Sequence, residues 1–186
     1  MTYNTLEDLK AYSPSFLEED DYNKIISLIE KEPECYGRGC FPAHVTGSAF
    51  LINKAGDKVL LNHHKSLNIW LQFGGHADGN SDILAVAKRE LEEESGIKDF
   101  KHICFGETKI FDVDTHIIPA NDLKNEPEHA HYDLRYLFQC QGREAFSISN
   151  ESLELRWCSY DEAIVLMNLE DKGVRRMLDK WQSLEK

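Results

Sequence analysis

The sequence predicts an α/β protein, a mixed β-sheet covered by helices on both faces, and three observations predict it. Short β-branched and aromatic runs separated by turn residues fill the middle of the chain. One glutamate-rich amphipathic helix interrupts them. Further amphipathic helical patterns flank them on either side.

At 186 residues with 41% hydrophobic side chains, the chain is long enough for one domain with a full core and too short to argue for two. The elements divide into an N-terminal helical extension, residues 1–40, and a single globular domain, residues 41–186. In order, "SFLEEDDYNKIISLIEKEP" opens with a capping-box pattern at Ser15 and Glu18. It then carries Tyr22, Ile25, Ile26 and Ile29 at helical spacing and stops before Pro33. From His44 the runs "HVTGSAFLIN", "DKVLLNHH" and "NIWLQF" read as strands. Gly74 and Gly75 end the last of these, and "HADGNS" leads into the glutamate helix with Ser81 as its N-cap. That helix ends at Gly96. Three more strand candidates follow, "HICFGETKIFDVDTHIIP", "HYDLRYLFQCQG" and "LELRWCSY". Ser159 and Glu162 form another capping box, and Val174, Met177, Leu178 and Trp181 recur at helical spacing to the end.

Thirty-three acidic against twenty-one basic side chains give a net charge of −12, which argues against nucleic acid as a partner. An acidic protein that handles phosphates needs local cations, and metal ions supply them. No stretch approaches about 18 consecutive apolar residues and the N-terminus shows no targeting pattern, so we expect a cytoplasmic protein without membrane association. It is expected to be a monomer or homodimer. Five cysteines at scattered spacings suit reduced thiols. "CYGRGC" would make half a zinc site, but no second pair follows.

Glu90, Glu92, Glu93 and Glu94 crowd into the last turns of the central helix, where the macrodipole favours cations and like charges repel. At about 100° per residue, Glu90, Glu93 and Glu94 share one arc while Leu84, Ala87 and Leu91 occupy the next. A solvated charged face is the ordinary explanation for such a run. Three carboxylates on adjacent turns are also the hard oxygen ligands that Mg²⁺ or Mn²⁺ prefers, and an ion would offset both the repulsion and the dipole.

The full spacing resembles the Nudix hydrolase box, GX5EX7REUXEEXGU with U a bulky aliphatic residue. Gly75, Arg89, Glu90, Leu91, Glu93, Glu94, Gly96 and Ile97 stand in register, eight of nine specified positions, and Ser81 replaces the first glutamate. The resemblance covers residues 44–165. It implies a Nudix-type α/β/α sandwich. It also implies metal ligation by Glu90, Glu93, Glu94 and the Gly74 carbonyl, with Arg89 orienting the glutamates and one of them, Glu90 among the choices, serving as general base. Family members differ over which glutamate is the base. Ser81 cannot brace Arg89 as an anion, and neighbouring Asp82 is the substitute at hand. The implied activity is Mg²⁺-dependent hydrolysis of a small-molecule diphosphate, such as a nucleoside diphosphate derivative. A ligand sensor that has lost catalysis is the alternative that Ser81 permits. An isomerase resembling isopentenyl-diphosphate isomerase is another, but no pattern places Cys104, Cys140 or Cys158 as its catalytic cysteine.

Alternation in "FDVDTHIIP" puts Asp112, Asp114 and His116 on one strand face, and in "HAHYDLRYLF" it groups His129, His131, Asp133 and Arg135. Such a polar face needs either charge pairing across the ladder or a cleft. The polar connection "PANDLKNEPEHA" and similar His-x-His-x-Asp-x-Arg segments in Nudix proteins favour the cleft. Arg135 would then grip a substrate phosphate, with Asp133 beside it and His116, His129 and His131 binding substrate oxygens or an additional transition metal. His63 and His64 read as surface residues and Trp157 as core. Glu154, in the same late strand as Trp157, is a candidate additional carboxylate for the metal site.

Overall fold

The computed structural model describes residues 4–121, 126–167 and 172–184. Two helices open it, α1 (Thr5–Ala11) and α2 (Glu19–Lys31), and a 3₁₀ turn, Pro33–Tyr36, leads into the sheet. The sheet strands are β1 (Ala43–Ile52), β2 (Val59–His64), β3 (Ile69–Leu71), β4 (Phe73–His76), β5 (Phe100–His102), β6 (Asp112–Ile118), β7 (His129–Cys140) and β8 (Ser152–Cys158). The glutamate helix α3 (Ile83–Ser95) lies between β4 and β5, and α4 (Tyr160–Leu166) and α5 (Lys172–Leu184) follow β8.

All eight strands join one mixed sheet with the central path β3-β2-β1-β7-β5. β1 and β7 run parallel at its centre, while every other pairing is antiparallel. β1 serves two neighbours on its other edge, pairing β4 through Thr46–Ala49 and β2 through Leu51 and Ile52. β7 likewise pairs β6 through its first half and β5 through its last residues.

Alternation along β1 sorts the layers. A Cβ added at Gly47 would lie 2.8 Å from Cγ2 of Ile83, so the face carrying Val45, Gly47 and Ala49 meets α3. The apolar cluster on this side also takes Leu9 of α1 and Ile25 and Ile29 of α2. His44, Thr46, Ser48 and Phe50 therefore face the other way. There Phe50 packs against Trp181 of α5, in a cluster with Ala163, Met177 and Leu178. The α/β architecture with helices on both faces is as the sequence predicts.

Local details differ. The run "NIWLQF" divides into β3 and β4, and "HICFGETKIFDVDTHIIP" contributes only β5 at its start and β6 at its end. Phe105 and Thr108 pair as an isolated bridge between these two strands. α1 carries no sequence signal strong enough to be read, yet Asn4 caps it and Leu9 is fully buried. The capping box at Ser159 and Glu162 forms as expected. The one at Ser15 does not cap α2, because the buried Glu18 carboxylate turns inward to Tyr12, Ser15 and Lys180. Nor does Ser81 cap α3. Asp82, one residue closer, accepts from the Ala85 N–H at 2.8 Å, while the Ser81 carbonyl accepts from Thr5.

Candidate active site

α3 ends where a glycine is needed: Gly96 takes φ 71, and its N–H closes the last turn on the Glu92 carbonyl. This packs Leu84, Ala87 and Leu91 against the sheet and leaves the adjoining arc of glutamates facing β4 and β2.

Glu94 is 6% exposed. Its carboxylate accepts from the Gly74 N–H at 3.1 Å and from the Asn62 amide at 2.7 Å. Burial pushes its pKa up to about 7, and the charge of Glu90 adds to the rise against the lowering effect of those two hydrogen bonds. Glu90 lies against the backbone of Gly75, where an added Cβ would be 2.5 Å from the carboxyl carbon. Only glycine permits that approach. Arg89 donates to Glu90 and, at 3.0 Å, to the His76 carbonyl, which ties α3 to β4. Glu93 points to solvent, 4.0 Å from Arg89 and with its side chain 65% exposed.

These residues fit a hard divalent cation. Glu94 and Glu90, with the Gly74 and Gly75 backbone against them, bring two carboxylates of α3 to the sheet as hard oxygen donors, while Glu93 stands out toward solvent. Arg89 is braced by Glu90 and the His76 carbonyl. Asp82 does not substitute for the missing first glutamate, because its side chain caps the helix.

The other residues weighed from the sequence make contacts of their own. Glu154 pairs with Arg156 at 2.6 Å on the surface. His63 stacks on Trp70 with ring centroids 4.9 Å apart, and Trp157, half-buried against the core, donates to the Glu144 carbonyl. Cys140 and Cys158 do not suit an isomerase. Burial raises the pKa of Cys140 and pushes that of Cys158 up to about 11, the reverse of an activated thiol.

Arg135 and Asp133 require correction. Arg135 is 2% exposed, and its guanidinium bonds Asp112 at 3.1 Å, Asp114 at 2.9 Å and Asp133 at 3.1 Å. Asp133 also accepts from Thr46 and Ser48. Arg176 and Lys180 of α5 reach Asp112 at 2.9 and 3.1 Å. Arg135 is thus enclosed by three aspartates and withdrawn from solvent, while Arg176 also pairs Asp21 and Lys180 also pairs Glu18. The polar stripe pairs across the ladder here, on the face opposite α3, and part of the loop expected to frame a cleft, residues 122–125, lies outside the described residues. His116 bonds Asp114, whereas His129 and His131 meet His44 and His76.

Sequence reasoning missed Asn62, His44 and His76. A lone asparagine inside "VLLNHH" was the signal for the first. The two histidines are far apart in sequence, and only strand pairing brings them to His131.

The NUDIX domain family model matches residues 42–181. A protein of Lactococcus lactis subsp. cremoris described as a probable DHNTP pyrophosphohydrolase is 32% identical over 123 residues, 66% of this chain and 70% of that one. The C. elegans Ap4A hydrolase in a binary complex superposes with a TM-score of 0.59 at 20% identity, over 76% of this chain and 96% of that chain. The E. coli dihydroneopterin triphosphate pyrophosphohydrolase does so with a TM-score of 0.58 at 13% identity, over 73% and 92%. These structural likenesses show a shared fold.

Proposed function

The chain belongs to the NUDIX domain family, and on that premise we propose that it hydrolyses a pyrophosphate bond in a small phosphorylated molecule, a nucleoside diphosphate derivative or similar diphosphate. Mg²⁺ or Mn²⁺ would be held by Glu90, Glu93, Glu94 and the Gly74 carbonyl. The observation that carries this reading is the seating of Glu90 on the Gly75 backbone in the same helix arc as the buried Glu94, whose pKa is raised by burial and by the charge of Glu90.

When bound, the ion supplies neutralisation of the bridging oxygens and a water acidic enough to attack phosphorus. The chain's own groups set the geometry. Arg89 holds the Glu90 carboxylate and fixes α3 to the His76 carbonyl. The Gly74 N–H and the Asn62 amide orient Glu94, and Glu93 presents its carboxylate to solvent. One glutamate of the set takes the proton from the attacking water, and a Gln series at positions 90, 93 and 94 assigns it through the pH–rate profile.

The decisive experiment is a panel of nucleoside diphosphate derivatives, nucleoside triphosphates and dihydroneopterin triphosphate, the last included because of the Lactococcus relative's description. Release of phosphate, pyrophosphate or a nucleoside monophosphate in Mg²⁺ but not in EDTA is the expected result. Ser81 favours a second reading, a ligand sensor without turnover, since Asp82 is committed to capping. A panel member that raises the melting temperature without being hydrolysed would establish that reading instead.

A further inference from the structure

Four imidazoles meet on the sheet face opposite α3, at the end of the parallel pair where β1 and β7 begin. His44 and His131 are paired residues of those strands, with ring centroids 4.8 Å apart. His129 lies 4.9 Å from His44, and His76 of β4 lies 4.8 Å from His131. His44 is 2% exposed and His129 5%.

Their hydrogen bonds orient the rings. Nδ1 of His129 lies 2.8 Å from the Pro127 carbonyl, and Nδ1 of His44 lies 3.4 Å from the Cys40 carbonyl. A carbonyl only accepts, so each Nδ1 carries the proton and each Nε2 presents a lone pair. Nε2 of His44 and Nε2 of His131 are buried without any hydrogen-bond partner. Buried polar atoms are ordinarily satisfied, and two orphans in one cluster indicate a missing partner, one that at His44 accepts a nitrogen lone pair. One donor atom each from His44, His129 and His131 falls within 4.8 Å of the other two.

We propose that His44, His129 and His131 form a second metal site, selective for a divalent transition ion of the zinc or cobalt type and distinct from the carboxylates of α3. Neutral imidazole nitrogens suit such ions, whereas Mg²⁺ prefers oxygen. Nitrogen–metal distances of about 2.0–2.1 Å in a tetrahedral site require nitrogens roughly 3.4 Å apart, which ring rotations of about 1 Å reach without moving the strands. The Nδ1 bonds to backbone carbonyls are the outer contacts that fix the tautomer of a ligating histidine. His76 lies beside the trio, with its ring centroid 5.2 Å from His44 and 4.8 Å from His131. The site stands whether or not the chain hydrolyses pyrophosphate, because none of its ligands belongs to the α3 cluster.

The test uses the full chain, stripped with EDTA and returned to excess Mg²⁺ so that oxygen sites are filled, then titrated with Co²⁺ alone. One equivalent of Co²⁺ with a visible d–d band is expected, and Zn²⁺ in the same buffer should raise the melting temperature. Losing only an outer contact of a metal ligand typically weakens binding about 10–100-fold. Substituting a direct ligand, in His131→Ala or His129→Gln, is therefore expected to weaken Co²⁺ binding by about a hundredfold or more, while Glu93→Gln keeps the band. Two variants guard against one that fails to fold. A wild type with neither band nor Zn²⁺-dependent melting shift overturns the proposal. So does a band that survives in both histidine variants, or one that disappears in Glu93→Gln.

Discussion

Arg135 and Asp112 face each other across the β6–β7 ladder and form a buried ion pair at 3.1 Å. Both side chains are almost wholly removed from water, and Asp114, Asp133, Arg176 and Lys180 extend the pair into a network that also takes in Asp21 and Glu18. Buried charge is tolerated when every partner is present and is costly when one is removed. This network closes the polar face between the sheet and α5.

Arg135→Met should therefore act on folding. Leaving three buried carboxylates short of a cation should reduce stability by about 3–5 kcal/mol, and Arg135→Lys, which keeps the charge but not the fork, should lose less. Denaturant unfolding measures the first effect, and steady-state kinetics on the folded fraction should show an unchanged KM. A raised KM at wild-type stability would return Arg135 to the substrate site.

Gly75→Ala should do the reverse. The new methyl displaces the end of a flexible side chain, Glu90, rather than backbone, so the folding cost should stay below about 1 kcal/mol. Turnover should fall by about a hundredfold, the usual penalty for misplacing a catalytic group by about an ångström. Normal turnover in this variant would detach Glu90 from the chemistry.

Glu93→Gln removes an exposed charge from a crowded arc, so stability without metal should hold within about 0.5 kcal/mol or rise. Mg²⁺-dependent turnover should disappear. In the wild type, an ion that binds only the folded state stabilises by about 2.7 kcal/mol at a hundred times its Kd. Thermal melts with and without Mg²⁺ should show that gain in the wild type and a smaller one in the variant; equal shifts would remove Glu93 from the ligand set.

Glu18 carries the pH dependence of the N-terminal contact. Burial alone would raise its pKa, but hydrogen bonds from Lys180, Ser15 and Tyr12 hold it down to about 2 from the ordinary 4.5. A depressed carboxyl stabilises the fold above its unfolded pKa and loses that contribution as pH falls through the folded value. The stability gap between wild type and Glu18→Gln should be roughly 2–4 kcal/mol at neutral pH and close as pH drops from about 4.5 toward 2. A gap that does not change with acid would show that packing, not charge, holds Glu18.

By itself the sequence determined the glutamate arc of α3, because helical spacing is local: Glu90, Glu93 and Glu94 fall on their arc whatever the rest of the chain does. It likewise determined that Asp112 and Asp114 share a face, as do His129, His131, Asp133 and Arg135, because strand alternation is equally local. Only the tertiary structure decided what those faces meet. Parallel pairing of β1 with β7 sets Ser48 beside Arg135 and His44 beside His131, and α5 delivers Arg176 and Lys180 to Asp112 from more than sixty residues away. The same pairing gathers four histidines from three strands around two unpartnered nitrogens. Periodicity specifies which side of a strand a residue occupies, whereas its partners depend on which strand lies alongside and at what offset, and that is settled by packing of the whole core.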